Sequence, residues 1–288
     1  MKQRDLKPAR WMSLGALVML ATVFAACGGD DGVPHATPTL TSTTPPTLRV
    51  EGEIVVFAAS SLTDAFKEIG KAFESENPKS TVTFNFAASS ALAVQINEGQ
   101  PADVFASADE TQMRVVSEKT GIQDQQVFAT NVPVVVVPKK ANAIQSFQDL
   151  AKPGVKLVIA GKDVPIGRYA RDIFAAATGA SGVGADFSDK VLANVRSEEA
   201  NVRGVLTKVQ LGEADAGVVY TTEVAAAAND VRAIAIPDRY NVIARYPLAV
   251  LKASKRIAAA RAFVRYVLSP AGQAILAKYG FGKLPAVP

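Results

Sequence analysis

The fold is indicated first by a stretch that runs Ile54-Val55-Val56-Phe57-Ala58-Ala59-Ser60-Ser61-Leu62-Thr63-Asp64. Residues 54–58 are apolar and rich in β-branched side chains, which predicts a buried strand. Apolar residues then recur at helical spacing from Leu62 to Phe73, and Asn77-Pro78 predicts the end of that helix. The stretch is therefore a strand that leads directly into a helix, with two serines at the junction.

The alternation of strand and helix continues along the chain. Further strands are predicted near residues 81–86, 103–106, 132–137, 156–160, 216–220, 231–236 and 244–251, and helices near 91–98, 109–119, 167–177, 199–211, 255–268 and 271–279. This order is typical of α/β proteins whose sheets are mostly parallel and covered by helices.

Two series of this kind predict a two-lobed α/β fold with a ligand cleft between the lobes. The strands near 132–137 and 244–251 are the candidate crossings from one lobe to the other. We therefore assign residues 49–131 together with 247–288 to lobe 1, and residues 132–246 to lobe 2.

The composition excludes several chemistries. The 288 residues include one cysteine, Cys27, and one histidine, His35. A Cys/His zinc site needs more ligands than these, and a disulfide framework needs cysteine pairs. We expect no metal cation and no cofactor.

The formal charge of +4 comes mostly from the first ten residues, which hold four basic residues and one acid. The rest is nearly neutral, so we expect no nucleic-acid partner.

The N-terminal region has the pattern of an export signal. A basic start precedes an uncharged, mostly apolar run at 11–26, which is short for a membrane span and typical of a signal peptide. Phe24-Ala25-Ala26-Cys27 resembles the cleavage signal of bacterial lipoproteins, although Phe24 stands where that signal usually has leucine. The resemblance implies lipid attachment at Cys27. Residues 27–48, rich in proline and threonine, are predicted to be a flexible tether.

Two strand-to-helix junctions carry serine pairs, Ser60-Ser61 and Ser89-Ser90. Serine hydroxyls beside the free N–H groups of a helix N-terminus can bind an anion, and ligands of doubly wound folds lie at the carboxyl ends of strands. Helix capping is the alternative at each junction, since Ser61 and Asp64 have the spacing of a capping box. Two serine pairs in equivalent places favour a binding site.

Three later segments add candidates of the same kind. Val164-Pro165-Ile166-Gly167 has the proline and glycine of a helix start with exposed N–H groups, and Asn201-Val202-Arg203-Gly204 leads into another helix. Tyr220 ends a predicted strand, where a phenol could equally belong to the core. We expect Arg168 and Arg203 to face solvent.

Together these segments resemble the periplasmic molybdate-binding proteins of bacterial ABC importers. The matching residues are 56–65, 86–90, 99–109, 164–170, 201–204, 217–220 and 278–281. The resemblance implies a type II periplasmic-binding-protein fold that closes over one tetrahedral oxyanion, molybdate or tungstate. It also implies an exported, membrane-anchored monomer that serves an ABC permease and its ATPase and is not an enzyme.

The resemblance also assigns the site residues. The ligand hydroxyls would be those of Ser61, Ser89 and Tyr220, and the backbone N–H groups those of Ser61, Ser89, Ile166 and Val202. Ile166 stands where many members have alanine, so its larger side chain could reshape the pocket. Counting from Phe86 places the second serine at Ser89, with Ser90 as the alternative.

Other functions stay open from the sequence. The ligand could be sulfate, phosphate or another oxyanion. An exported serine hydrolase would need a base to activate Ser61 or Ser89, and residues 49–288 contain no histidine. A ligand-sensing regulator is disfavoured by the export signal and by the lack of a DNA-binding helix pair.

Overall fold

The computed structural model describes residues 50–283 of the chain. The predicted signal peptide at 1–26, the tether at 27–48 with Cys27 and His35, and residues 284–288 lie outside this part. Within residues 50–283, no helix is both long and apolar enough to cross a membrane.

The described residues form two five-stranded sheets with helices packed around them. The strands are β1 (Gly52–Ala59), β2 (Ser80–Ala87), β3 (Val104–Ala106), β4 (Ile122–Asn131), β5 (Pro133–Pro138), β6 (Leu157–Ala160), β7 (Val195–Glu199), β8 (Ala216–Tyr220), β9 (Val231–Ile234) and β10 (Ala244–Leu251). The helices are α1 (Thr63–Glu76), α2 (Ser89–Asn97), α3 (Glu110–Lys119), α4 (Pro165–Ala177), α5 (Phe187–Ala193), α6 (Val202–Gln210), α7 (Thr221–Ala226), α8 (Ile257–Leu268) and α9 (Pro270–Lys278). Short 3₁₀ turns span Ser60–Leu62 and Phe147–Ala151.

The strand order is β2-β1-β3-β10-β4 in the first sheet and β7-β6-β8-β5-β9 in the second. The predicted two-lobed α/β architecture is confirmed, and so is the expectation of mostly parallel sheets, because four of the five strands in each sheet run in the same direction. In each sheet two strand pairings are parallel and two are antiparallel. The antiparallel pairings all involve β10 or β5. Each of these strands lies between two neighbours that run in the opposite direction.

The two sheets are joined where β4 ends at Asn131 and β5 begins at Pro133, and again between β9 and β10. Strand β10 belongs to the first sheet from Ala244 onward. The domain boundaries at 131/132 and 246/247 stay predictions.

Each sheet has its own aromatic core. Around the first sheet, Phe66 and Phe73 of α1 contact Phe263 of α8 edge to face, at centroid distances of 6.2 and 5.5 Å. Beside the second sheet, Phe147 contacts Phe174 of α4 and Phe187 of α5, at 6.2 and 5.1 Å. The aromatic rings therefore fix these helical segments against one another beside each sheet.

Helix α4 approaches strand β6 so closely that only glycine fits at Gly167. A Cβ atom there would overlap the carbonyl oxygens of Ala160 and Gly161, which are backbone atoms that cannot turn aside. The contact fixes the first turn of α4, including Ile166, against the end of β6.

We therefore expect Gly167→Ala to lower the free energy of unfolding by at least about 2 kcal/mol, the scale of an overpacked core. Gly161→Ala in the same turn is the matched control, because its Cβ would find ordinary contacts at 3.8 Å. Urea unfolding of both variants checks this, and equal stabilities would contradict it.

Candidate functional site

A small cavity lies at the ends of strands from both sheets. Its walls contain all five predicted site residues, Ser61, Ser89, Ile166, Val202 and Tyr220, and the remaining lining residues are Ala59, Ser60, Ala87, Ala88, Ala108, Val164 and Pro165. Its volume is about 10 Å³, close to the least that holds one water molecule. A space of this size is smaller than a tetrahedral oxyanion as well as a sugar or an amino acid, so any of these would require the cavity walls to move apart.

A wider cleft of about 590 Å³ also lies on the described surface. Its lining is charged and includes Lys67, Glu68 and Lys71 of α1. We take the small cavity as the candidate site, because buried donors from four helix starts meet there.

The site residues stand at the starts of helical segments. Ser61 lies in the 3₁₀ turn before α1, Ser89 is the first residue of α2, Ile166 the second of α4 and Val202 the first of α6. Backbone N–H groups in a first helical turn have no partner within the helix, and helix dipoles add a partial positive charge there. The cavity is therefore suited to an anion.

The serines do not cap their own helices. The N-cap residues of the 3₁₀ turn, α1 and α2 are Ala59, Leu62 and Ala88, and the two serine hydroxyls hydrogen-bond to groups outside these helices. The capping alternative for Ser61 and Ser89 is therefore wrong. Ser89 lines the cavity, whereas Ser90 is not among the lining residues.

The hydroxyl of Ser89 is oriented by a backbone group. Ala108 donates its N–H to Ser89 Oγ at 2.9 Å, so the serine proton stays available for another acceptor. Ser61 Oγ lies 3.0 Å from the hydroxyl of Tyr246, a strand β10 residue that the sequence did not single out.

Tyr220 presents a buried phenol with no partner among the described residues. The side chain is 1% exposed, and its hydroxyl makes no hydrogen bond within residues 50–283. Burial raises the pKa of Tyr220 well above its usual 10, so the phenol keeps its proton at neutral pH and is available as an uncharged donor.

Arg168 and Arg203 do not simply face solvent, contrary to the prediction. Arg168 of α4 pairs with Asp109 at 2.9 Å, and Arg203 of α6 pairs with Asp64 of α1 at 2.6 Å. Each pair joins a helix beside the second sheet to a residue beside the first. The guanidinium groups are therefore engaged with carboxylates, and the residues that line the cavity are uncharged.

The Asp109–Arg168 pair is strongly held. Asp109 is 1% exposed, and its other carboxylate oxygen accepts the N–H of Gln112 at the start of α3. Burial lowers the pKa of Arg168, but the hydrogen bond and charge of Asp109 outweigh this and raise it overall. A paired, buried carboxylate of this kind is screened little by salt.

Comparison with known proteins agrees with this geometry. Residues 54–282 match the family model described as bacterial extracellular solute-binding protein. The chain belongs to this family.

A curated relative of this solute-binding protein is the molybdate-binding protein ModA of Mycobacterium tuberculosis. It is 39% identical over 282 residues, which cover 95% of this chain and 99% of the relative. The Azotobacter vinelandii periplasmic molybdate-binding protein has a similar structure, with a TM-score of 0.70 at 20% identity over 81% of this chain and 99% of that one. The sulfate-binding protein SubI of Mycobacterium tuberculosis also has a similar structure. Its TM-score is 0.74 at 19% identity, over 82% of this chain and 88% of that one. These two structures support the fold alone.

The site of this solute-binding protein offers hydrogen-bond donors, and within residues 50–283 neither serine hydroxyl contacts a base. The contacts of the Ser61 and Ser89 hydroxyls are a phenol and a backbone N–H, and neither can remove a serine proton at neutral pH. The hydrolase alternative therefore has no support in the described part of the chain.

The sequence also gave no sign of Glu223, a buried acid of α7 that lies three residues after the site tyrosine. It is 1% exposed and accepts a hydrogen bond from Thr222 at 3.0 Å, while Oε1 has no partner within residues 50–283. Burial raises the pKa of Glu223 from 4.5 to about 7, against an opposing effect from the charge of Arg203.

The folded protein therefore holds a proton on Glu223 that the unfolded chain loses above about pH 4.5. Stability should fall as the pH rises from about 4.5 to 7 and then level off. Glu223→Gln cannot ionise, so we expect it to exceed the parent in unfolding free energy at pH 8 by up to about 3 kcal/mol, with no difference near pH 4.5. Denaturant unfolding across this range is the measurement, with exposed Glu118→Gln as control. A pH-independent difference would refute the assignment.

Proposed function

We propose that this solute-binding protein captures molybdate in the cavity between its two sheets. The observation that carries the proposal is the convergence of Ser61, Ser89, Ile166, Val202 and Tyr220, from four helix starts and a strand end, on one cavity without charged lining residues. The name of the Mycobacterium tuberculosis relative, molybdate-binding protein, supports the same ligand.

Uncharged donors are sufficient for a dianion with four acceptor oxygens. Hydrogen bonds to an ionised acceptor are about twice as strong as neutral ones, and they gain further strength out of water. The dipoles of α2, α4 and α6 supply a partial positive charge. The ion would therefore be held without a buried cation.

Selectivity would follow from the protonation and size of the ion. Phosphate often carries a proton at neutral pH, and a pocket that only donates would leave that proton without an acceptor. Sulfate is a dianion like molybdate, so it must be rejected by its smaller size. Tungstate has nearly the size of molybdate, and we propose that it binds comparably.

The same proposal covers the cellular role. Closure of the two lobes over the ion would create the surface that an ABC permease, driven by its ATPase, accepts. We propose that residues 1–26 direct export, that Cys27 carries the lipid and that residues 27–48 tether a monomer on the extracytoplasmic side of a membrane. The protein would bind its ion without turnover.

Removing one donor should weaken molybdate binding measurably. We expect Ser61→Ala and Tyr220→Phe each to cost about 1.5–3 kcal/mol, the value of a hydrogen bond to a charged group, which is roughly 10- to 150-fold in Kd. Isothermal titration calorimetry gives the affinities. Ser90→Ala is the matched control and should bind like the parent. Unchanged affinity in both site variants would rule out this cavity.

A titration series identifies the ligand itself. Molybdate and tungstate should bind within about tenfold of each other, and sulfate and phosphate at least about a hundredfold more weakly, which corresponds to about 2.7 kcal/mol. Tighter binding of sulfate than of molybdate would instead favour a sulfate-binding protein.

A further inference from the structure

Tyr246 is a buried phenol that lies behind Ser61. It belongs to β10, is fully buried, and places its hydroxyl oxygen 3.0 Å from Ser61 Oγ. Edge-to-face contacts with Tyr220, Phe128 and Phe281 hold its ring, at centroid distances of 5.9, 6.4 and 5.6 Å. Tyr246 is not among the residues that line the cavity, so any effect on a ligand must pass through Ser61.

Asn131, the last residue of β4, fixes which way the hydrogen bonds run. Its Oδ1 accepts the N–H of Val132 at 3.0 Å, and a backbone N–H can only donate, so the amide cannot be turned over. Its Nδ2 therefore faces the hydroxyl of Tyr246, at 3.5 Å, and donates to Thr222 Oγ1 at 2.9 Å.

This orientation of the Asn131 amide determines which group receives the hydrogen bond from the Tyr246 hydroxyl. Because its oxygen faces the Asn131 donor, the phenol proton needs an acceptor elsewhere, and a buried donor left unpaired is costly. Ser61 Oγ, at 3.0 Å, is the nearest hydrogen-bond partner of the Tyr246 hydroxyl, so we infer that it accepts the phenol proton. The order is therefore Asn131 to Tyr246 to Ser61.

The order determines what Ser61 can offer to a ligand. A serine hydroxyl has one proton. If Ser61 donated that proton to Tyr246, only its lone pairs would face an oxyanion, and they would repel it. When Ser61 accepts from Tyr246, its proton is free to donate, and the chain of hydrogen bonds polarises it into a stronger donor.

We propose that Tyr246, oriented by Asn131, is a positioning residue that commits Ser61 to donate its hydrogen bond to the bound oxyanion. The proposal rests on the function proposed above. Under this proposal, a residue that affects the affinity for the ion lies at the junction of the two sheets, because Asn131 ends β4 just before the chain crosses into β5. Asn131 also accepts a hydrogen bond from Thr221 of α7, on the side of the second sheet.

A double-mutant cycle with molybdate tests the proposal. The variants are Tyr246→Phe, Ser61→Ala and the combination of the two, and calorimetry gives the Kd of each. We expect Tyr246→Phe alone to weaken binding roughly 5- to 30-fold, and to cause less than a twofold further loss when Ser61→Ala is already present. A merely structural role of Tyr246 would weaken binding equally in both backgrounds, and that additive result would overturn the proposal.

Tyr240→Phe is the matched control, because Tyr240 is also buried, its hydroxyl has no partner among the described residues, and it does not line the cavity. It should leave the affinity unchanged. Thermal unfolding of each variant checks that the fold is retained.

Asn131→Asp provides a second route that leaves the Tyr246 ring in place. The carboxylate would accept the phenol proton and draw it away from Ser61. We therefore expect Asn131→Asp to weaken molybdate binding more in the parent than in Tyr246→Phe. Equal losses would contradict the proposed order of hydrogen bonds from Asn131 through Tyr246 to Ser61.

Failure of the unmodified protein to bind molybdate would overturn the proposed function and this proposal together. Binding with additive losses would overturn this proposal alone.

Discussion

Unpaired hydrogen-bond donors buried between two sheets are the constraint on which the site depends. A donor removed from water without a partner costs about 1–3 kcal/mol, so a fold that gathers several of them must hold them by strong contacts elsewhere. The phenol of Tyr220 is such a donor. The N–H groups of Ser89, Ile166 and Val202 also belong here, since they lie in first helical turns and have no partner within their helices. The close approach of α4 to β6 at Gly167 and the backbone contact of Ser89 are two of the contacts that hold them.

Charge is arranged around these donors and kept out of the cavity wall. Asp109 and Asp64 bind the guanidinium groups of Arg168 and Arg203, which connect helices beside different sheets. This pairing has two consequences. It holds the two lobes together at the rim of the cavity, and it leaves the helix dipoles and neutral donors to determine which anion is accepted.

The sequence predicts the elements that are apolar or that begin with a clear junction. The strand at 54–58, the serine turns after β1 and β2, and the phenol at the end of β8 all carry local signals. Strand β4 was missed because its first half, Ile122-Gln123-Asp124-Gln125-Gln126, is largely polar and lies at a sheet edge. Strand β7, Val-Arg-Ser-Glu-Glu, was missed for the same reason, because it too is largely polar and lies at a sheet edge.

Contacts between distant residues could not be predicted from local patterns. Asp109 and Arg168 are 59 positions apart, and Ser61 and Tyr246 are 185 apart, so only the folded topology brings them together. The direction of the β5 and β10 strands is a similar case, because the chain's crossing between the sheets, rather than its composition, makes them antiparallel to their neighbours.

Anomalous diffraction at the molybdenum absorption edge, from crystals grown with molybdate, tests the central claim most directly. The account predicts one strong peak between Ser61, Ser89, Ile166, Val202 and Tyr220, with hydroxyl and N–H groups around it and no lysine or arginine side chain in contact. A peak in the charged cleft beside Lys67 and Lys71, or none in the small cavity, would contradict the account.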